Sequence, residues 1–407
     1  MSNAKGISAK MKIGIWLNDI FVPTVGGGAS YTSRLLQIID KYHFSGNYDV
    51  CFISRFPQLG FQKEVINISQ LPSYIYSIFS FSDFITKLLR KIDFYLLRIR
   101  GLKSVLNGSD VKLIYYIQQT ILIDQSFPFI STNWDIGHRS TFPFPELCEN
   151  GDFEKRDHFY QDLLPKALMI ICESETGKQE LMNYTNIGAH KIRVMPLFAG
   201  CVSALNVSTC EMNNVLKKIG IEYNRYFFYP AQFWAHKNHI GLLKAFNKFF
   251  RDYNKSYKLV FCGANKGNLS YVMEYAEELG IKNQVVYLGF ISEMEMYTLY
   301  KNATCLIMAS HFGPTNMPPI EAMEIGCPVA CSDLGGHREI LGDSAVYFKS
   351  FDYKTIYDAM VEIICHRDDY LIKINNQKKE TIFNSDYSIK ILEKILQEAA
   401  EIRNNWN

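Results

Sequence analysis

Residues 312–325, FGPTNMPPIEAMEI, place a Gly- and Pro-containing loop directly before a short helix. Backbone N–H groups at the start of a helix lack intrahelical partners, so those of Asn316 to Ile320 can point at an anion. Glu321 stands close enough in sequence to accept hydrogen bonds from hydroxyls. Together they suit a phosphate-bearing donor. A second candidate is Gly26-Gly27-Gly28, which lets backbone approach a ligand closely or is simply a flexible turn. Its spacing is not the GxGxxG dinucleotide fingerprint, and no acidic residue ends a clear second strand about 20 residues later. His236 and His239 are neighbours without further ligands at metal spacing, so no metal is expected there, and His239 reads as helix-start structure.

These groups need a scaffold that puts loops at strand ends. Apolar runs at 305–309 and 328–331 read as buried strands flanking a helix that starts near Pro319 and stops at Gly326; proline inside the start and glycine just past the end mark its limits. In the first half, strands are expected at 11–17, 113–117, 129–134, 167–172 and 192–197. A helix carrying Tyr31, Leu35, Leu36 and Ile39 follows the glycines. In the second half, strands at 226–229, 258–262 and 285–288 alternate with helices, one opened by a Ser292/Glu295 capping box. Such alternation gives α/β, doubly wound parallel sheets. A polar stretch near 200 divides the chain into 11–200 and 201–385, and 386–407 reads as a closing amphipathic helix.

The 407-residue length exceeds one ordinary core and predicts two domains of about 150–200 residues. The 48% hydrophobic content supports full folding, and the formal charge of +2 gives no basic excess for nucleic acid. Ten cysteines, mostly inside apolar runs and without a CxxC pair, read as reduced thiols of a cytoplasmic protein. Residues 1–10 read as a tag or ragged leader with Met11 as the natural start, and no apolar run reaches membrane-spanning length. Residues 71–103 mix Ile85, Leu88, Leu89, Ile92, Tyr95, Leu96 and Ile99 at helical spacing with cations placed on the other side. That pattern fits either a helix lying on an anionic bilayer or a core-facing helix pair.

Taken together, VGGGAS at 25–30, ESETGKQEL, KIRVMPL, YPAQFWAHKNHIGLLKAF at 229–246, LVFCGANKGN at 259–268 and HFGPTNMPPIEAMEIGCPVACSDLGGHREILGDSAVYF at 311–348 resemble glycosyltransferase family 4, of the "glycosyl transferases group 1" type. The resemblance implies the GT-B fold, two facing Rossmann-like domains with the active site in the cleft and the final helix crossing back to the first. It implies retaining transfer from a nucleoside-diphosphate sugar to a glycan or lipid-linked acceptor in polysaccharide, capsule or lipopolysaccharide synthesis, without a metal or other cofactor. The first domain would bind the acceptor and the second the donor, on the cytoplasmic side and at the membrane surface if 71–103 docks there.

Residue by residue, Lys237 matches the second cation of the family's diphosphate-gripping pair, and Gln232 stands where the first, usually Arg, is expected. Glu321 matches the second acid of the two-glutamate motif, expected on the ribose hydroxyls, and the first falls on Gly313. Gly27, Gly28, Gly263, Phe290, Asn316 and Met317 complete the implied donor set. The family's first-domain His-Asp pair is replaced by Trp134-Asp135, which makes Asp135 and His138 candidates for acceptor orientation or proton handling. Gln232 and Gly313 also keep open a catalytically silent, nucleotide-sugar-binding relative.

Overall fold

The computed structural model describes residues 10–17, 26–55, 60–72, 74–75, 83–120, 124–141 and 144–406. Two wholly parallel sheets form the α/β, GT-B arrangement. The first contains β1 (Met11–Trp16), β2 (Tyr48–Ser54), β3 (Val65–Asn67), β4 (Val111–Tyr116), β5 (Phe129–Asn133), β6 (Met169–Cys172) and β7 (Ile192–Val194), in the order β3-β2-β1-β4-β5-β6-β7. The second contains β8 (Tyr226–Pro230), β9 (Lys258–Cys262), β10 (Val285–Tyr287), β11 (Cys305–Met308), β12 (Val329–Ser332) and β13 (Ala345–Phe348), ordered β10-β9-β8-β11-β12-β13.

Strands covered by helices on both faces lose polar alternation, and β8, β11 and β12 are accordingly buried along almost their whole length. β2, β3 and β13 have no counterpart in the sequence reading. β2 is followed directly by Arg55, a buried cation where a dinucleotide fold would carry an acid. The capping box of Ser292 and Glu295 is formed, with Glu295 N–H donating to Ser292 Oγ at 3.2 Å.

The helix Ser385–Asn404 packs on the first sheet's side of the molecule. Its Ser388 hydroxyl donates to the Pro196 carbonyl at 2.6 Å, and Glu393 accepts from Tyr42 and from Ser45. All ten cysteines are free thiols, six of them buried.

Two expectations are corrected. Gly26, Gly27 and Gly28 are not a turn before the first helix but its opening residues, in Gly26–Lys41; the connection at 18–25 lies outside the described residues. The helix of the key loop begins at Met317, two residues before Pro319, and ends as expected at Gly326 (φ 82°), whose N–H returns to the Ala322 carbonyl at 2.9 Å.

The segment 71–103 also differs from its reading. Residues 73 and 76–82 lie outside the described residues, and Asp83–Arg100 is one helix. Its protein-facing side carries Asp93, which is fully buried and accepts from Gln70 N–H at 2.7 Å and Leu71 N–H at 3.0 Å. Arg55 lies 4.0 Å from the same carboxylate. Leu97 on that side is buried in the core, whereas a second set of apolar residues faces outward: Phe84 is 77% exposed, Tyr95 64% and Ile99 65%, with Leu88 and Ile92 between them also exposed. At 100° per residue these five form one stripe, and exposed Lys87, Lys91 and Arg98 lie beside it. Among the described residues, no helix is long and apolar enough to cross a membrane.

Candidate active site

The carboxyl ends of the two sheets face each other across a cavity of about 360 Å³. Its first-sheet wall is Gly28 and Tyr31 from the opening helix, Trp134 and Asp135 after β5, and Arg156. The opposite wall is Trp234, His236 and Lys237 after β8, and Phe312 to Met317 after β11. Ligand crevices at the carboxyl ends of parallel strands are the expected place for chemistry in such sheets.

Glycines set the approach of the two halves. A Cβ on Gly27 would come 2.8 Å from Met317 Cβ, and one on Gly28 3.1 Å from the Trp134 ring. The helix starts of both domains are thereby held together at the cavity floor. Across the mouth, the His236 backbone N–H donates to Glu146 Oε1 at 3.0 Å, and His236 Nδ1 bonds the same oxygen. Phe144 stacks on His311 at 5.4 Å and 15°, extending this bridge.

Lys237 lies on the second-sheet wall. Its ammonium donates to Asn316 Oδ1 at 2.9 Å and lies 3.4 Å from Ser310 Oγ. Burial pulls its pKa down to about 8, against the opposing pull of Asp135 and Glu146. Asn316 holds φ 63° and ψ 137°, a conformation rare outside glycine, costing about 1–3 kcal/mol.

Asp135 pairs with Arg156 Nη2 and accepts the Gly137 N–H at 2.9 Å. Burial pushes its carboxyl up, and Arg156 with the Gly137 amide more than offsets that, leaving it below 3.8. The Tyr160 hydroxyl donates to Asn133 Oδ1 at 2.8 Å and lies against the Asp135 carbonyl, fixing this turn.

The cavity therefore unites Gly28, Asp135, Lys237, Asn316 and Met317, with Gly27 packed on Met317. Other sequence candidates sit off its wall. His138 is fully buried, stacked on Tyr160 at 5.1 Å and held neutral, its pKa lowered to about 4 by burial. Gln232 spends its Oε1 on the Trp234 indole N–H at 3.0 Å. Gly263 (φ 143°) lets its strand end pass the Ala231 carbonyl, 2.3 Å from where a Cβ would stand. Phe290 is 63% exposed.

Glu321 is buried behind the helix start, accepts from the Tyr300 hydroxyl at 2.8 Å, and is pushed up to about 7 by burial. Arg156, Glu146 and His337 were not singled out from sequence.

Residues 212–380 match the family model described as glycosyl transferases group 1. Among curated relatives, O-antigen chain mannosyltransferase B of Escherichia coli is 24% identical over 207 residues, 51% of this chain and 54% of that protein. O-antigen chain mannosyltransferase RfbU of Salmonella typhimurium is 27% identical over 208 residues, again 51% and 54%. The chain thus spans about half the length of the curated relatives it matches. The fold likeness is wider: Anabaena Alr3699/HepE, solved in complex with UDP-glucose, superposes with a TM-score of 0.67 at 14% identity, covering 96% of this chain and all of that one. Among the described residues, no cluster of three or more His, Cys, Asp or Glu is placed to hold a metal.

Proposed function

We propose that this chain moves a sugar from a nucleoside-diphosphate sugar to a glycan or lipid-linked acceptor, with retention, in the building of cell-surface polysaccharide or lipopolysaccharide. The observation that carries the reading is Lys237, a buried ammonium in the cleft beside the N-terminus of Met317–Ile325, within the stretch that matches the family. The mannosyltransferase relatives and the UDP-glucose complex of the Anabaena protein support it. Residues 201–385 would hold the donor and 11–200 the acceptor, with the closing helix crossing back.

In this reading the bond between the anomeric carbon and the diphosphate oxygen breaks, and its electron pair leaves on the diphosphate. Lys237 and the amides at Met317 stabilise that charge without a metal. Asp135, held acidic by Arg156, orients the acceptor hydroxyl by accepting its hydrogen bond. It is a weak base, so the hydroxyl proton passes to the departing diphosphate, whose pKa is about 6. A screen of UDP- and GDP-sugars for hydrolysis or thermal stabilisation tests the class. Tight NADH binding with no response to either nucleotide would refute it. A silent relative, favoured by the occupied Gln232 and by Gly313, would bind nucleotide sugars and never turn over with any acceptor.

The reading also seats the enzyme peripherally on the cytoplasmic face of a membrane. The helix Asp83–Arg100 rests on Arg55, just past the end of β2, and on residues 69–71 after β3, so it shares the carboxyl-end rim of the sheet with the cleft. Its exposed apolar stripe, flanked by Lys87, Lys91 and Arg98, matches an anionic bilayer in both polarity and charge. Co-sedimentation with phosphatidylglycerol vesicles should be lost when these three cations are changed to Glu. Equal sedimentation of the charge-reversed variant removes the proposal.

A further inference from the structure

Gly313 and Asn316 compete for one space. The Gly313 backbone has φ 117°, and a Cβ built on it would lie 2.8 Å from Asn316 Nδ2 and 3.1 Å from Asn316 Oδ1. A side chain at 313 and the Asn316 amide therefore exclude each other in this loop. What occupies the space is an amide with both ends engaged, and the far end leads into the protein interior, away from the cavity.

That far end is His337, whose side chain is fully buried in the helix Gly335–Leu341. His337 Nδ1 lies 2.7 Å from the Ser332 carbonyl, which can only accept, so this nitrogen carries the proton. Nε2 is left as an acceptor, 3.1 Å from Asn316 Nδ2. The amide is then fixed in one sense, NH₂ toward the ring and Oδ1 toward the Lys237 ammonium at 2.9 Å. The opposite sense would set amide hydrogens against a cation and a lone pair against a lone pair. Burial keeps the ring neutral, which the arrangement needs. The next residue back, Gly336, gives the close packing of the two segments: a Cβ there would fall 1.1 Å from the Pro314 carbonyl oxygen.

We propose that His337 is a positioning residue for the donor diphosphate, acting through Asn316 to aim the Lys237 ammonium into the cavity. The chain Ser332 carbonyl, His337, Asn316, Lys237 gives the lysine one neutral, oriented acceptor in place of any acid projecting from position 313. This deepens the transferase reading and rests on Lys237 being the diphosphate cation.

The test is calorimetric binding of GDP and UDP to the full chain, with thermal midpoints recorded for every variant. His337→Phe removes the acceptor and should weaken binding about tenfold or more. His337→Gln can donate to Ser332 and accept from Asn316, and should restore affinity to within about threefold. Should His337→Phe fail to fold, Asn316→Gly removes the same link without straining the backbone and should weaken binding as much. Wild-type affinity in His337→Phe or in Asn316→Gly overturns the proposal, and so does a His337→Gln as weak as His337→Phe. Lys237→Ala separates the two readings. If it binds both nucleotides normally, the diphosphate assignment itself is wrong; if it loses them while His337→Phe does not, only the relay is.

Discussion

Glu321→Gln should stabilise this protein at neutral and alkaline pH, by an amount that grows with pH. The Glu321 carboxyl is buried, and burial pushes its pKa from the ordinary 4.5 up to about 7, although the Tyr300 hydroxyl favours the charged form. The folded chain therefore holds a proton at pH 6 that the unfolded chain has released. Stability falls with pH wherever the folded state binds more protons, so this group lowers stability progressively from about pH 4.5 to about pH 7. At about 1.4 kcal/mol for each tenfold in acidity, the full effect above pH 7 is about 3 kcal/mol. Gln keeps the shape and still accepts from Tyr300, but cannot ionise. Urea denaturation of both proteins from pH 4.5 to 8.5 should show curves that coincide at the acid end and separate by about 2–3 kcal/mol at the alkaline end. For a unit of this size that is roughly 2–4 °C in Tm per kcal/mol. A difference that stays flat with pH, or shrinks as pH rises, refutes the argument, because no other group is altered between the two chains.

Lys237, pulled down to about 8, should lose its charge in the mild alkaline range, so GDP or UDP affinity should fall as pH rises through 8; Lys237→Arg should flatten that limb in calorimetry. Gly336→Ala must displace the Pro314 carbonyl and with it the Asn316 loop, costing more than about 2 kcal/mol in chemical denaturation and most of the nucleotide affinity. Glu146→Ala removes the carboxylate that both His236 donors reach across the cleft mouth, and small-angle scattering of the nucleotide-free protein should record a larger radius of gyration. Ser292→Ala, at the formed capping box, should cost about 1 kcal/mol without altering nucleotide binding.

Much of the architecture was legible because parallel strands covered on both faces must be nearly continuous apolar runs, and those at 226–230, 258–262, 305–308 and 329–332 stand out by composition alone. Helix limits were legible where stereochemistry dictates them, as at Gly326 and at the Ser292 cap. The strands Val65–Asn67 and Ala345–Phe348 escaped because both lie at sheet edges and are only partly buried, so neither is a fully apolar run. In the helix Asp83–Arg100, periodicity announced an apolar stripe, but only packing could say which side meets the protein. The protein-facing side carries buried Leu97 together with Asp93, which is fixed by backbone N–H groups of residues 70 and 71, while the stripe from Phe84 to Ile99 faces outward.

The same division runs through the site. Sequence by itself offered Asn316 and the helix start after it as an anion-facing loop, because local stereochemistry constrains backbone over a few residues, and it offered Lys237 only through the family resemblance; the structure brings the three to one cavity wall. Sequence could not determine that Asp135 would meet Arg156 from a different element, or that His236 would reach Glu146 across the cleft. Nor could it show that Glu321 lies behind the site on Tyr300, or that His337 fixes the Asn316 amide. Those pairings join residues 21 to 90 positions apart, and hydrogen-bond partners at such separations are set by how helices and sheets pack. Only the tertiary structure could decide them.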